Sequence, residues 1–173
     1  NSGQAFAKLM NHFGNWENIR KAQLSEIKKQ ITIGGMSNIK SKNIKTVLNI
    51  VNEEVENYNL YFLTTLKRKE ALNWLTSLPG VGKKTASCVM LFAYGVPFIP
   101  VDTHVERIVK RIGFVKKKVN TIDIQEDLEQ IFEKEKYGIF HLSLIEHGRK
   151  ICQAKNPLCN ECIIQDLCEQ NLT

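Results

Sequence analysis

Apolar residues recur three and four positions apart along almost the whole chain, a spacing that predicts helices. Phe6, Met10 and Phe13 share one such stripe, Val47, Ile50, Val51 and Val55 a second, and Leu72, Leu75 and Leu78 a third. No stretch of comparable length alternates apolar with polar residues as a half-buried strand does. The turn-forming stretches "FGNWEN", "IGGMSN", "LPGVG", "AYGVPFIP" and "KYGIF" cut the periodic segments into short pieces. The pattern predicts an all-α protein of about nine or ten short helices. It contains no internal repeat and no low-complexity segment.

Composition narrows the class without fixing the function. A chain of 173 residues that is 43% hydrophobic can bury the core of one domain or of two small interlocked ones. Lys and Arg number 24 against 18 Asp and Glu, a formal charge of +6, which suits a polyanionic partner but does not specify one. No apolar run is long enough to span a bilayer and no secretory signal pattern is present, so an intracellular protein is expected. The chain starts at Asn1, and "GQAFAKLMNHF" reads as a helix already in progress, so a natural protein extending upstream is expected.

From Cys152 onward the helical periodicity gives out, and "CQAKNPLCNECIIQDLCEQNLT" holds four of the five cysteines. Cys152, Cys159, Cys162 and Cys168 follow the pattern C-x6-C-x2-C-x5-C. Four thiolates in one short loop can wrap one metal centre, the C-x2-C turn delivering two ligands and the flanks closing the shell. Disulfides would need an oxidising compartment. By spacing analogy an iron-sulfur centre is favoured over zinc, and zinc stays open. The lone Cys88 reads as a small core residue, or as the lining of a site one turn beyond Lys84.

The stretch "LPGVGKKTASC" places a tight Gly-Pro turn between an amphipathic segment and an apolar one, giving helix, hairpin, helix. Its two glycines, Gly80 and Gly82, permit positive φ and close approach, so the N–H groups of Val81, Gly82 and Lys83 are expected to point outward together as an anion site suited to a DNA phosphate. The same turn also serves as a plain structural connector. Lys83 and Lys84 sit where a helix start already carries partial positive charge. An amine held in a first turn and partly desolvated loses its proton more readily, and a neutral amine is a nucleophile that forms imines. The plainer alternative is that both lysines stay solvated and contact phosphate.

"VPFIPVDTHVERIVKRIGF" runs from a Pro-containing apolar loop into another helix. Asp102 or Thr103 is expected at its N-cap; Thr103 and Glu106 match the T-x-x-E capping box, and on that account Thr103 is the cap and Asp102 is left free beside "FIPV", facing a pocket or solvent. His104, His141 and His147 read as partly buried helix residues rather than ligands.

Taken in order, "LPGVGKKTA", "VDTHVERIVKRIGF" and "HGRKIC" followed by the four-cysteine pattern resemble the endonuclease III family, within the helix-hairpin-helix superfamily of DNA glycosylases. The resemblance covers essentially the whole chain. It implies a six-helix barrel domain at residues 1–96 and a cluster domain at 97–173, with Lys84 as the catalytic lysine, Asp102 as the catalytic aspartate and a [4Fe-4S] cluster on Cys152, Cys159, Cys162 and Cys168. Lysine at 84 separates the chain from monofunctional mismatch-adenine relatives. The implied partner is double-stranded DNA bearing a damaged base or an abasic site. It would be bound by a monomer in the cytoplasm, at the nucleoid, with no membrane involved. Gly80, Val81, Gly82, Lys83 and Lys155 would meet the DNA backbone. "GGMSNIKSKNI" is similar to the family turn that places Met36 as a wedge in the base stack, with Lys40 following on the next helix; an ordinary core contact is the alternative for Met36. The implied chemistry is base excision of oxidised pyrimidines with β-elimination at the abasic site. A monofunctional glycosylase and a non-catalytic DNA-binding scaffold are the alternatives. The family's S-Q-N/A-T-D-like segment falls before the first residue, so a lesion pocket lacking its gap-filling glutamine is expected of these 173 residues.

Overall fold

The computed structural model describes residues 1–116 and 120–169. Among these residues there are nine α-helices and no strand: α1 (Ser2–Phe13), α2 (Trp16–Lys21), α3 (Leu24–Ile31), α4 (Ser37–Glu54), α5 (Arg68–Ser77), α6 (Lys83–Cys88), α7 (Thr103–Ile112), α8 (Thr121–Ile131) and α9 (Tyr137–Lys150). The all-α expectation holds. The chain groups into two compact units, Asn1–Gly82 and Lys83–Thr173. The helix that follows the hairpin thus groups with the cysteine-bearing half, whereas the resemblance implies a boundary after residue 96.

In the first unit, Ala5, Leu9, Ile19, Ile27, Ile31 and Leu48 form one core cluster, with Met10, Phe13 and Ile44 packed against it. Of the stripe read on α1, Met10 and Phe13 pack against this core, while Phe6 is 53% exposed, its ring 6.0 Å from that of Trp16; Ala5 and Leu9 complete the buried face. A Cβ on Gly34 would stand 3.3 Å from that of Ala5, so these two small residues meet closely. The other two stripes keep their phase, with Val51, Leu75 and Leu78 buried. Asn15 caps α2 by accepting the Asn18 N–H at 2.8 Å. Glu17 on that helix bonds Arg20 at 2.6 Å and accepts from the Tyr58 hydroxyl, and these partners, with Lys21, hold its carboxyl well below the usual carboxylate range.

In the second unit, α6 continues as a π-helical stretch, Val89–Ala93, before the chain enters "VPFIPV". That segment is buried interior, with Phe98 and Ile99 fully enclosed. A buried backbone N–H needs an acceptor, and that of Ile99 finds Glu129 Oε1 on α8 at 2.9 Å, an oxygen that also accepts from Gln125 Nε2 at 2.9 Å. Ile99, Val101, Val105, Val109, Val115, Ile124, Leu128 and Tyr137 make up the core here. Helices α7 and α9 meet at Gly148, where a Cβ would stand 2.7 Å from His104 Nδ1 and 3.0 Å from Ile108 Cδ1. Only glycine lets α9 lie this close.

Candidate functional site

The hairpin after α5 closes through the Val81 N–H, which donates to the Leu78 carbonyl at 3.1 Å. Gly80 has φ +79°, and a Cβ there would strike the Asn43 side chain at 2.2 Å, so both conformation and space require glycine. Two expectations are corrected. Val81 spends its N–H within the turn, so it does not point outward with the others. Gly82 lacks a positive φ, and a Cβ there would meet nothing within 4 Å. The turn therefore does not require its smallness. The N–H groups of Gly82 and Lys83 have no acceptor among the described residues. Lys83 and Lys84 are exposed in the first turn of α6, so the partial desolvation foreseen for the amine is absent from the DNA-free chain.

Asp102, and not Thr103, caps α7. Its backbone is extended (φ −107°, ψ −178°), and its Oδ1 accepts the N–H groups of His104 and Val105, each at 2.9 Å. Capping needs this pairing of extended backbone with a side-chain oxygen facing the second and third helical N–H groups. Thr103 lies one residue too far along, already helical and exposed. The foreseen capping box is replaced by an ion pair of Glu106 with Lys110 at 2.7 Å. The carboxylate is thereby fixed in rotamer and held at a helix start that favours negative charge. Its Oδ2 takes no bond from a described residue.

His141 on α9 is buried beside Phe92. The ring is 1% exposed, its Nδ1 has no hydrogen-bond partner among the described residues, and Phe92 stands 5.9 Å from it. Burial pushes the imidazole below its usual pKa; a hydrogen bond to the Pro100 carbonyl and the Asp102 charge oppose that shift, and the Lys84 ammonium adds to it. The sequence reading of His141 as a partly buried helix residue understates its burial, which Phe92, remote in sequence, helps to provide.

Cys152, Cys159, Cys162 and Cys168 are free, half-buried thiols lining one apolar pocket with Ile108, Arg111 and His147. Arg111, 8% exposed, donates to the Gln153 and Ala154 carbonyls at 2.7 and 3.1 Å and to Cys152 Sγ at 3.4 Å. Arg107, one turn earlier, donates to the Cys152 carbonyl at 2.8 and 3.1 Å and to the Gly148 carbonyl at 3.0 Å. Cys168 Sγ approaches the Arg111 carbonyl at 3.4 Å, and Cys162 Sγ lies 3.8 Å from His147 Nε2. Four soft donors around one apolar cavity, hydrogen-bonded from outside, fit an iron-sulfur cluster. The two arginines were missed in the sequence. Their signal was a pair of cations four apart within the apolar stripe of "VERIVKRI".

The remaining candidates lie on the surface. Met36 is 68% exposed with φ +53°, which removes the core alternative for it. Lys40 is exposed, its Nζ on the Gly34 carbonyl at 2.8 Å. Lys155 is exposed on the loop between the first two cysteines. Cys88 is half-buried, and His104 meets Arg107 at 3.1 Å. No helix among the described residues is long and apolar enough to cross a membrane.

Comparison with known proteins agrees with this arrangement. The family model for the HhH-GPD superfamily base excision DNA repair protein matches residues 2–134, and that for the iron-sulfur binding domain of endonuclease III matches residues 152–168. Endonuclease III of Sulfolobus acidocaldarius is 32% identical over 170 residues, which is 97% of this chain and 74% of that protein. Endonuclease III of Bacillus subtilis is 37% identical over 147 residues, covering 85% of this chain and 63% of its own length. A solved non-covalent endonuclease III–DNA complex superposes with a TM-score of 0.81 at 30% identity, covering 96% of this chain and 73% of that one. A trapped endonuclease III–DNA covalent intermediate gives 0.80 at 30% identity, covering 96% and 74%. The hairpin, the Asp102 cap and the four-thiol cavity thus accompany a match over most of the sequence, and the chain belongs to the HhH-GPD superfamily of base excision DNA repair proteins, with the iron-sulfur domain of endonuclease III.

Proposed function

We propose that this chain excises damaged bases from duplex DNA and cleaves the strand at the resulting abasic site, with Lys84 as nucleophile and Asp102 as its charged partner. The observation that carries this reading is the state of Asp102: Oδ1 is locked by two backbone N–H groups while Oδ2 is left for chemistry. The reacting sugar carbon is unreachable inside a stacked duplex, so the nucleotide must be turned out of it. Lys84 Nζ, once neutral, attacks C1′ as the bond to the base breaks, and Asp102 stabilises the positive charge that develops on the sugar. The adduct opens to an imine, which acidifies the adjacent C2′–H. Loss of that proton expels the 3′ phosphate by β-elimination, and hydrolysis of the imine returns the lysine. The substrates are oxidised pyrimidines and abasic sites.

The grip on DNA is assigned to exposed groups: the N–H groups of Gly82 and Lys83, the Lys83 ammonium and Lys155 on phosphate, with Met36 as the wedge. Lys40 acts on the turn before Met36 through its bond to Gly34. Contacts of this kind make binding fall steeply with salt. When bound, the cluster supplies structure, ordering the Lys155 loop. The division into a barrel at 1–96 and a cluster domain at 97–173 is part of the same proposal, as is action as a monomer.

Borohydride trapping on abasic-site duplex tests the reading. A covalent adduct that disappears in Lys84→Gln is expected. Base release by a folded, cluster-loaded protein without any adduct would mean a monofunctional glycosylase with Asp102 activating water. DNA binding unaffected by Lys84→Gln, with no reaction from either protein, would mean a scaffold.

A further inference from the structure

We propose that Ser87, Gln125 and Glu129 form a hydrogen-bonded tie that holds the helix bearing Lys84 in register with the segment bearing Asp102, which makes Glu129 a positioning residue for the reaction. The proposal rests on the Lys84 and Asp102 reading above and adds what fixes the two residues relative to each other.

Each link of the tie lies within the second unit. Ser87 is fully buried on α6, three residues beyond Lys84. A serine inside a helix ordinarily turns to solvent or bonds the carbonyl four residues back. Ser87 instead directs its Oγ to Gln125 Oε1 on α8, at 3.4 Å, the longest link of the three. Gln125 Nε2 donates to Glu129 Oε1, one turn further along α8, at 2.9 Å. The same oxygen accepts the N–H of Ile99 at 2.9 Å, and Ile99 lies three residues before Asp102. The direction of the bonds follows from the far end. Glu129 Oε1 already accepts from the backbone, so Gln125 turns its NH2 toward it and leaves its own oxygen for the Ser87 hydroxyl, which donates. Glu129 is also held through its main chain, because the Tyr137 hydroxyl donates to its carbonyl at 2.8 Å.

Polar groups in series are an unexpected way to close this space. Ile124 and Leu128, which precede Gln125 and Glu129 on α8, are buried with Ile99 and Val101 in one apolar core. Apolar contact is non-directional and would join the two segments without fixing their register. A polar group taken out of water must be met by a partner at a set distance and angle, and that requirement locks the register. Attack at C1′ depends on such a lock, since a misplacement of about 1 Å costs about a hundredfold in rate. Lys84 and Asp102 each stand three residues from an end of the tie, so little backbone intervenes on either side.

The test is single-turnover trapping of an abasic-site duplex by the full, cluster-loaded chain, with duplex affinity and melting temperature measured on the same preparations. Glu129→Leu removes the acceptor shared by Gln125 and Ile99. It is expected to lower the trapping rate at saturating DNA about ten- to a hundredfold, with duplex affinity within about twofold. Glu129→Gln keeps an acceptor oxygen and is expected to restore the rate to within about threefold of the wild type. Ser87→Ala removes the longest link with little change in volume and is expected to slow trapping about three- to tenfold. Because the links act in series, the double variant Ser87→Ala, Glu129→Leu is expected to be no slower than Glu129→Leu alone. A merely structural role would lower the melting temperature and leave the saturated rate unchanged. Ser87→Ala trapping at the wild-type rate overturns the proposal, and decides it even where Glu129→Leu fails to fold. Losses that multiply in the double variant, or a Gln variant as slow as the Leu variant, overturn it too. In each case the Lys84 assignment still stands, provided that the wild type traps and Lys84→Gln does not; a wild type that traps nothing removes both.

Discussion

Asp102 Oδ1 accepts the backbone N–H of Val105 at 2.9 Å, so the residue assigned to chemistry also builds the first turn of α7. The two duties are separable. Asparagine keeps an acceptor oxygen at the cap and loses the charge, whereas alanine loses both. Asp102→Ala is expected to lower stability by about 1 kcal/mol, and Asp102→Asn by a few tenths at most. Both are expected to slow trapping by about a hundred- to a thousandfold, as removal of a fixed electrostatic partner does. Denaturant unfolding and single-turnover trapping on the same preparations check this. An Asn variant that reacts normally would show that the cap matters and the charge does not.

That doubling of roles marks where sequence reasoning stopped short. The helices were legible because large apolar residues recur at the right interval, and the four thiols because their spacing is local. The burial of Ala5 on α1 was not, because small residues leave little trace in a hydrophobic pattern and its close neighbour Gly34 is remote in sequence. Asp102 and Thr103 are neighbours of equal capping talent, and only the backbone, extended at the first and helical at the second, decides between them. The full burial of His141 was not legible because Phe92, which packs on its ring, is remote in sequence. The arginines of α7 went unread because a buried cation signals nothing until its carbonyl partners are known.

Arg111 places one guanidinium across the Gln153 and Ala154 carbonyls, inside the first interval between cysteines. Arg111→Met fills similar space without donors and strands those acceptors, at about 1–3 kcal/mol. The variant is expected to purify with reduced visible absorbance from its cluster, a lower melting temperature and weaker duplex binding, because Lys155 rides on the same loop. Arg111→Lys, which keeps one donor group but not the planar fork, is expected to fall between the two. Full cluster occupancy in the Met variant would show that the thiols organise the loop without help from α7.

The pH dependence of stability has two windows. Buried His141 has a lowered pKa in the folded chain, so above the ordinary imidazole value of about 6.5 it is neutral in both states and its contribution is complete. As pH falls through that value the unfolded chain binds a proton first, and stability declines until the folded ring also protonates. His147, lowered by burial as well, adds in the same direction. Glu17 acts in a separate, more acid window, because its carboxyl is held below the usual range by Arg20, Tyr58 and Lys21. Its contribution is present above the ordinary carboxylate value and is lost as pH falls toward its folded value. Denaturation midpoints measured against pH are expected to drop in two stages. His141→Gln is expected to flatten the first stage in part, leaving the share of His147, and to leave the second untouched.

Met36 carries strain that nothing in the folded chain repays. It holds a left-handed backbone, φ +53° and ψ +33°, immediately before α4 and leaves a large apolar side chain in solvent. For a residue with a Cβ this conformation costs about 1–2 kcal/mol, and such costs gather at positions kept for function. Met36→Gly removes both the strain and the wedge. Stability is therefore expected to rise by about 0.5–1 kcal/mol, while affinity for an abasic-site duplex falls. A fluorescent base analogue opposite or beside the lesion is expected to report less unstacking. Met36→Leu retains an apolar wedge and the strain, so it is expected to bind and unstack as the wild type does. If the Gly variant gained stability and still unstacked the duplex fully, the side chain would have no part in opening the DNA.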